Sequence, residues 1–339
     1  MAGSKPPQPH SPHVTPSRSV EPRRAEGARL DLLSFGSVFL EIAFGHTDQL
    51  PRPGEEIYID SFAFSCGGAV TSAVAASRAG ALAGLATVLG DDLGSLLAER
   101  LCLAESVDIS LSRRVEGAVA GITVVLNYDG DRAFISHMPR RPACEAPEPK
   151  RWVEILDRAR PSWAYLHASP DVLGVLRKAR EVGTKVALDV NLEEIEAFPE
   201  AVIECARLAE VFLPNEEELR RITGSADFKE GLGTAASWCP LVVAKRGPDG
   251  AVVADGRGVT EVSDGLLDVE VKDLTGAGDA FAGALIGSLA KGARLFEAVR
   301  AANAAGSEAA GRLGATGPAD VPGLWGGHQL QKLPPIKPK

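Results

Sequence analysis

Thr275-Gly276-Ala277-Gly278-Asp279 sets two glycines and a carboxylate at the entrance of an apolar helix. Before it, Val271-Lys272-Asp273 reads as a β-rich run. After it, Phe281, Leu285 and Leu289 recur every four residues with Ala284 beside them, one helical face. Glycines at a helix entrance let backbone N–H groups point into open space, where the helix dipole favours an anion. A carboxylate at that spot is badly placed to bind the anion. Asp279 is well placed to take a proton from a hydroxyl attacking a phosphoryl group. A helix-capping aspartate in a tight turn is the other reading of the same residues. The spacing is neither G-x-x-x-x-G-K-[ST] nor G-x-G-x-x-G, since Phe281 falls where the third glycine would be.

Elements that could position such a turn are visible along the chain. Its 339 residues suffice for one large α/β domain or two small ones. Residues 1–29 are rich in Pro, Ser, Arg and His, lack apolar periodicity and read as a disordered tail without a signal-peptide core. Leu30-Asp31-Leu32-Leu33-Ser34-Phe35 reads as a strand closed by Gly36. Residues 38–64 are β-rich. Cys66-Gly67-Gly68 opens a small-residue helix over 69–79, followed by a strand over 82–89. Gly90-Asp91-Asp92-Leu93-Gly94 leads into another helix. Residues 118–137 alternate around a hairpin signal at Tyr128-Asp129-Gly130-Asp131. From about residue 150, helical segments near 150–159, 171–182, 200–209 and 228–237 alternate with apolar runs at 163–167, 186–190, 211–213 and 241–245. That rhythm predicts a parallel sheet covered on both faces. The pieces at 38–64 and 118–137 fall outside it and are expected to form a small sheet of their own.

Composition limits the function. The net charge is −9, and with five Lys or Arg against two Asp or Glu in residues 1–29, the remainder carries −12. Nucleic acid is a poor partner for such a surface, whereas a nucleotide held by a few amides is not excluded. No stretch approaches the length of a membrane span. Cys66, Cys102, Cys144, Cys205 and Cys239 are odd in number and form no C-x-x-C, which suits reduced thiols in the cytoplasm. The six histidines form no metal-binding spacing, and His167, after an apolar run, reads as a strand-end histidine.

Asp273-Leu274-Thr275-Gly276-Ala277-Gly278-Asp279 resembles the C-terminal signature of the PfkB, or ribokinase-like, family of carbohydrate kinases, with Leu274 where Thr or Ser is usual. The resemblance runs from about Leu30 to about Gly317. It implies an α/β, ribokinase-like, doubly wound and mostly parallel sheet with helices on both faces and a small β-sheet lid. The kinase domain would span 30–320, with the lid from about 38–64 and 118–137 and a C-terminal tail at 321–339. The same resemblance assigns residues. Asp279 would be the base, with the amides of Gly276, Ala277 and Gly278 stabilising charge on the transferring group.

The sugar side is implied by Glu41, at the family's early Asp, and by Gly67 and Gly68 with Ser72 at a position usually Asn. Asn215 and Glu218 match Asn-x-x-Glu. Glu218 would hold water ligands of Mg²⁺. Lys245, Gly247 and Gly250 match a loop beside the nucleotide, and Asn303 lies in a helix over 301–313 that packs near adenine. Asp273, Thr275 and Gly314 match a monovalent-cation loop, expected to take K⁺. Asp189-Val190-Asn191 ends a strand and matches Asp-x-Asn, with Glu193 where an Arg is frequent. Each of these polar residues is also a plausible turn or cap by itself.

The expected reaction is transfer of the ATP γ-phosphoryl group to a hydroxyl of a small sugar, ribokinase- or fructokinase-like, by a cytoplasmic enzyme. Expected partners are a small-molecule sugar and a second copy of the chain meeting through the lid, with neither nucleic acid nor membrane. Three alternatives stand beside it. One is a nucleoside kinase of the same family. Another is a sugar-binding protein that has lost turnover, against which Asp279 and its glycines speak. The third is a dinucleotide-dependent oxidoreductase, whose fingerprint the first strand–helix unit lacks.

Overall fold

The computed structural model describes residues 28–128, 130–139 and 148–317. Both expected tails, apart from residues 28 and 29, lie outside the described residues, as does Cys144. Arg29 belongs to the folded part, since its guanidinium donates to the carbonyl of Pro161 at 3.1 Å.

The first half of the chain forms β1 (Leu32–Phe35), β2 (Val38–Thr47), β3 (Phe62–Gly68), α1 (Ala69–Arg78), β4 (Ala83–Ala86), β5 (Val88–Leu89), α2 (Leu93–Ala104), β6 (Arg113–Arg114), β7 (Gly121–Tyr128) and β8 (Asp131–His137). The alternating unit follows as α3 (Glu148–Ala159), β9 (Trp163–His167), α4 (Leu173–Val182), β10 (Lys185–Asp189), α5 (Leu192–Ala197), α6 (Pro199–Leu208), β11 (Val211–Phe212), α7 (Glu216–Thr223), α8 (Phe228–Ala236) and β12 (Leu241–Lys245). It closes with β13 (Ala251–Asp255), β14 (Gly258–Val262), α9 (Ala277–Ala290) and α10 (Leu295–Ala310).

Eight strands form the main sheet in the order β14-β13-β12-β11-β10-β9-β1-β4. From β12 to β4 every pairing is parallel, and β13 and β14 add an antiparallel edge. The fold is therefore α/β, and the apolar runs are strands because both faces are covered. One face packs Leu166, Leu188, Phe212 and Val242 against α3, α4, α6 and α8. The other packs Leu32, Tyr165, Val211 and Val243 against α1, α9 and α10. Helices α1 and α9 approach closely because both are built of small residues. A Cβ at Gly283 would collide with the Ser72 carbonyl, and one at Gly287 would lie 3.0 Å from the Ala76 backbone.

The second sheet has the order β3-β2-β7-β8. Its central pair, β2 and β7, runs parallel, so the two β-rich segments join side by side. Its inner face carries Glu41, Ser65 and Thr123 in register. Its outer face carries Ile42, Phe44, Phe64, Val124 and Ile135.

Three expectations are corrected. The strand at 82–89 breaks at Thr87 into β4 and β5, the latter pairing with β6 in a separate two-stranded sheet. Residues 271–273 join no strand; the amides of Lys272 and Asp273 bond instead to the Ala310 carbonyl at 2.9 and 3.2 Å. The helix expected over 301–313 begins at Leu295 and ends at Ala310. Cys66, Cys102, Cys205 and Cys239 are free and buried, and burial pushes all four thiols above their ordinary value, which suits packing rather than reactivity.

Candidate active site

Helix α9 is capped at its start by Gly276, whose φ of +73° is the left-handed region that glycine enters freely. A Cβ there would collide with Ala315, so the turn lies directly on the 314–317 loop. Ala277, Gly278 and Asp279 form the first turn, where amides have no partner within the helix, although Ala277 N–H makes a 3.3 Å bond to Leu274.

Asp279 faces the carboxyl ends of β9, β10 and β12. Tyr165 Oη lies 3.0 Å from Asp279 Oδ1, and His167 Nε2 lies 3.6 Å from the same oxygen. Tyr165 Oη is also 3.0 Å from Asp189 Oδ2. Lys245 Nζ donates to both oxygens of Asp189 at 2.8 Å, and its ammonium lies 3.5 Å from where a Gly278 Cβ would stand. Burial raises the Asp279 pKa, but the hydrogen bond and charge of His167, then Lys245 and Tyr165, hold it below the ordinary aspartate value. Burial and the two aspartates push the Tyr165 phenol well above its usual range. Lys245 is held above its ordinary value because Asp189 and Glu218 outweigh burial.

At the next strand end, Asn215 and Glu218 form a reciprocal cap on α7. Asn215 Oδ1 accepts from Glu218 N–H at 2.9 Å, and Glu218 Oε2 accepts from Asn215 N–H at 2.7 Å. Glu218 is buried, and burial pushes its carboxyl up to about 7 against the pull of Lys245. Gly250 abuts Asn303, 3.2 Å from a Gly250 Cβ, while Gly247 faces open space. Both amide hydrogens of Asn303 are committed to the carbonyls of Val262 and Asp264, at 2.9 Å each. Asn303 therefore ties α10 to the exit of β14.

Glu41 and Gly67 are brought into contact across β2 and β3, and a Cβ on Gly67 would strike the carboxylate. Glu41 Oε2 accepts from Ala315 N–H at 3.0 Å. Burial above all pushes Glu41 up to about 7, and Asp273 and Asp279 add to the rise while Ala315 and Ser65 oppose it. Gly68 caps α1 at φ +70°. Ser72 departs from the expected role. It is fully buried, its hydroxyl sits 2.9 Å from Ser34 Oγ and donates to Ala69 O at 3.2 Å, and it packs the α1–β1 seam rather than a ligand surface.

The 273–275 and 314–316 loops interlock. Asp273 Oδ1 accepts from Thr275 N–H and Oδ2 from Gly314 N–H, both at 2.9 Å. Thr275 Oγ1 is buried without a partner, and an oxygen so placed beside a buried carboxylate fits a hard monovalent cation. Among the described residues no group of three or more His, Cys, Asp or Glu side chains is gathered for a metal. Mg²⁺ would thus meet Glu218 as one carboxylate beside water and phosphate, which suits that ion.

Tyr165 is absent from the sequence reading, and His167 enters it only as a strand end. Both follow from the sheet: β9 and β10 are neighbours, and His167 pairs in register with Asp189. A tyrosine two residues before that histidine shares its face.

This sheet order, capped by a small sheet over the strand ends, defines a ribokinase-like kinase fold. The adenosine kinase from Sinorhizobium meliloti shares it, with a TM-score of 0.72 over 85% of this chain and 96% of that chain at 19% identity. Residues 30–322 match the pfkB family of carbohydrate kinases, and the chain belongs to that family of phosphotransferases with hydroxyl acceptors. It is similar to a cytidine kinase of Thermococcus kodakarensis, 28% identical over 281 residues, covering 80% of this chain and 92% of the relative. An ATP-dependent ribose-1-phosphate kinase of Halopiger xanaduensis is 32% identical over 292 residues, covering 84% of this chain and 93% of the relative. No helix among the described residues is long and apolar enough to cross a membrane.

Proposed function

We propose that this enzyme transfers the ATP γ-phosphoryl group to a hydroxyl of a small sugar or riboside, with Asp279 as general base. The observation that supports this best is the place of Asp279, in the first turn of α9 beside the glycine amides and kept ionised by His167, Lys245 and Tyr165. The acceptor hydroxyl gives its proton to Asp279 as its oxygen attacks phosphorus. The amides of Gly276, Ala277 and Gly278 hold the charge of the transferring group. Lys245 fixes Asp189 and lies behind Gly278. Glu41, Gly67 and Gly68 bound the sugar side, and Asn215, Glu218, Gly247 and Gly250 the nucleotide side. Glu218 would hold Mg²⁺ there, and the ion would supply charge neutralisation to the phosphates. K⁺ at Asp273, Thr275 and Gly314 would stiffen the adjoining amide turn. The small sheet acts as a lid that excludes water, and its apolar outer face joins two copies of the chain. The cytoplasm, where free thiols persist, is the compartment this reading favours.

The cytidine kinase relative favours a nucleoside as second acceptor class. Asp273 and Asp279, joined by Glu41 once it ionises, gather acidic groups that disfavour an already phosphorylated sugar, in contrast to the Halopiger relative's named substrate. An ADP-release assay with D-ribose, D-fructose, cytidine, adenosine and ribose 1-phosphate tests both points. We expect a neutral acceptor to be best, and Asp279→Asn to lose turnover by on the order of 10² or more while still binding ATP. Asp279→Asn turnover within a few-fold of the unmodified enzyme overturns the base, and ribose 1-phosphate as best acceptor overturns the preference.

A further inference from the structure

Tyr165 and His167 have no part in holding nucleotide or sugar in the reading above, yet they lie against Asp279. Tyr165 Oη stands 3.0 Å from both Asp279 Oδ1 and Asp189 Oδ2. A phenol owns one proton, so one carboxylate at a time receives it. Asp189 is already served by Lys245 Nζ at 2.8 Å from both oxygens and by Val190 N–H at 2.9 Å. Among the described residues, the side-chain partners of Asp279 are Tyr165 and the more distant His167. The cluster thus has one short oxygen–oxygen contact more than it has protons to fill. His167 opens to water, its side chain 44% exposed against 25% for Asp279.

We propose, on the reading that Asp279 is the base, that Tyr165 and His167 are its positioning residues and manage the proton it takes. When Asp279 is protonated, Tyr165 turns its hydrogen to Asp189 and accepts the hydrogen of Asp279, while His167 releases a proton to water. The acceptor O–H bond breaks as its oxygen bonds phosphorus, its hydrogen goes to Asp279, and the nucleotide's leaving oxygen keeps the electron pair of the broken P–O bond. Neutralising Asp279 removes a charge that holds the imidazolium. An N–H bond of His167 then breaks, its pair stays on the ring nitrogen, and the proton enters solvent. When products leave, Asp279 ionises and His167 is reprotonated, so each cycle frees one proton in total.

The charges around His167 support this. Partial desolvation lowers its proton affinity, but Asp279 at 3.6 Å and the charge of Asp189 raise it above the ordinary imidazole value against Lys245. Glu194 and Glu218 also feel its charge, and the Tyr165 ring packs edge-on at 5.8 Å.

The test is a single turnover with excess enzyme, ATP–Mg²⁺ and cytidine, or D-ribose if it is the better acceptor. Transfer is followed by rapid quench, and the proton by an indicator dye. At a pH low enough for His167 to carry its proton, located by NMR titration of the ring, the proton should appear together with transfer, and at a pH above that titration only with product release. In His167→Gln the proton should lag behind transfer at both pH values, whatever the rate of transfer itself. Tyr165→Phe should slow transfer about tenfold with Michaelis constants within about twofold. A coincident proton in His167→Gln, no early proton in the unmodified enzyme at the lower pH, or Tyr165→Phe at full rate overturns the proposal. Asp279→Asn separates the two readings: if it transfers phosphate normally the base itself is wrong, and if it is inert while His167→Gln still releases its proton early, only the pair's role falls.

Discussion

Glu41 stands in the sequence where a charged acceptor for sugar hydroxyls is expected, and the fold puts it in a medium that discourages charge. Burial is the first cause of its rise from 4.5 to about 7. The folded state therefore keeps a proton that the unfolded chain has lost, so stability falls as pH rises from about 4.5 to about 7. The full span is on the order of 3 kcal/mol. Glu41→Gln keeps an acceptor for Ala315 N–H and removes the titration. Its melting temperature relative to the unmodified enzyme should climb between about pH 5 and about pH 8, and a constant difference by differential scanning calorimetry would show that Glu41 does not titrate there. Asp279 was legible from its place at a glycine-rich helix entrance, whereas Asp189 and Lys245 were marked only by their match to family motifs. Tyr165 was not, since a tyrosine in an apolar run looks like core and its partners sit 24 and 114 residues away. Residue type was also insufficient for Ser72, because a hydroxyl does not declare which way it turns.

Helix α9 shows why the catalytic turn holds its position. Its start is pinned on Ala315, and its middle presses Gly283 and Gly287 into α1. Gly283→Ala would force the two backbones apart at Ser72. We expect a loss of about 1–3 kcal/mol, together with a fall in turnover, measured by chemical denaturation and by the ADP-release assay. An unchanged midpoint would mean that the two helices tolerate a wider separation. The apolar face of α9 was legible at four-residue spacing, and the strands of the small sheet were legible by alternation. The parallel pairing of β2 with β7 was not, because pairing partners are chosen by tertiary packing. The run at 271–273 looked like a strand and joins none, since the Ala310 carbonyl at the end of α10 accepts from the Lys272 and Asp273 amides in place of a neighbouring strand.

At the scale of the whole molecule, strand–helix alternation announced the main sheet, and the two leftover β-rich segments announced the second one. The second sheet leaves Ile42, Phe44, Phe64 and Val124 only partly covered and Ile135 66% exposed on its outer face. A contiguous apolar face of this kind is a mark of an interaction surface. Sedimentation should find a dimer, and Ile135→Asp should shift it towards monomer by placing a charge in the contact. Identical sedimentation of both proteins, whether as monomers or as dimers, would remove the lid from the contact.

The main sheet also has a calendar. Leu32, Tyr165, Val211 and Val243 are covered by Phe281, Leu285, Ile286 and Val299. The cover of that face is thus made on the ribosome after every strand it protects. Such distant contacts slow folding, and until α9 and α10 emerge a nascent chain carries an open apolar sheet. Ribosome-stalled chains ending before residue 277 should be bound by chaperones and cut readily by protease, and chains whose residues through 317 have cleared the exit tunnel should resist it.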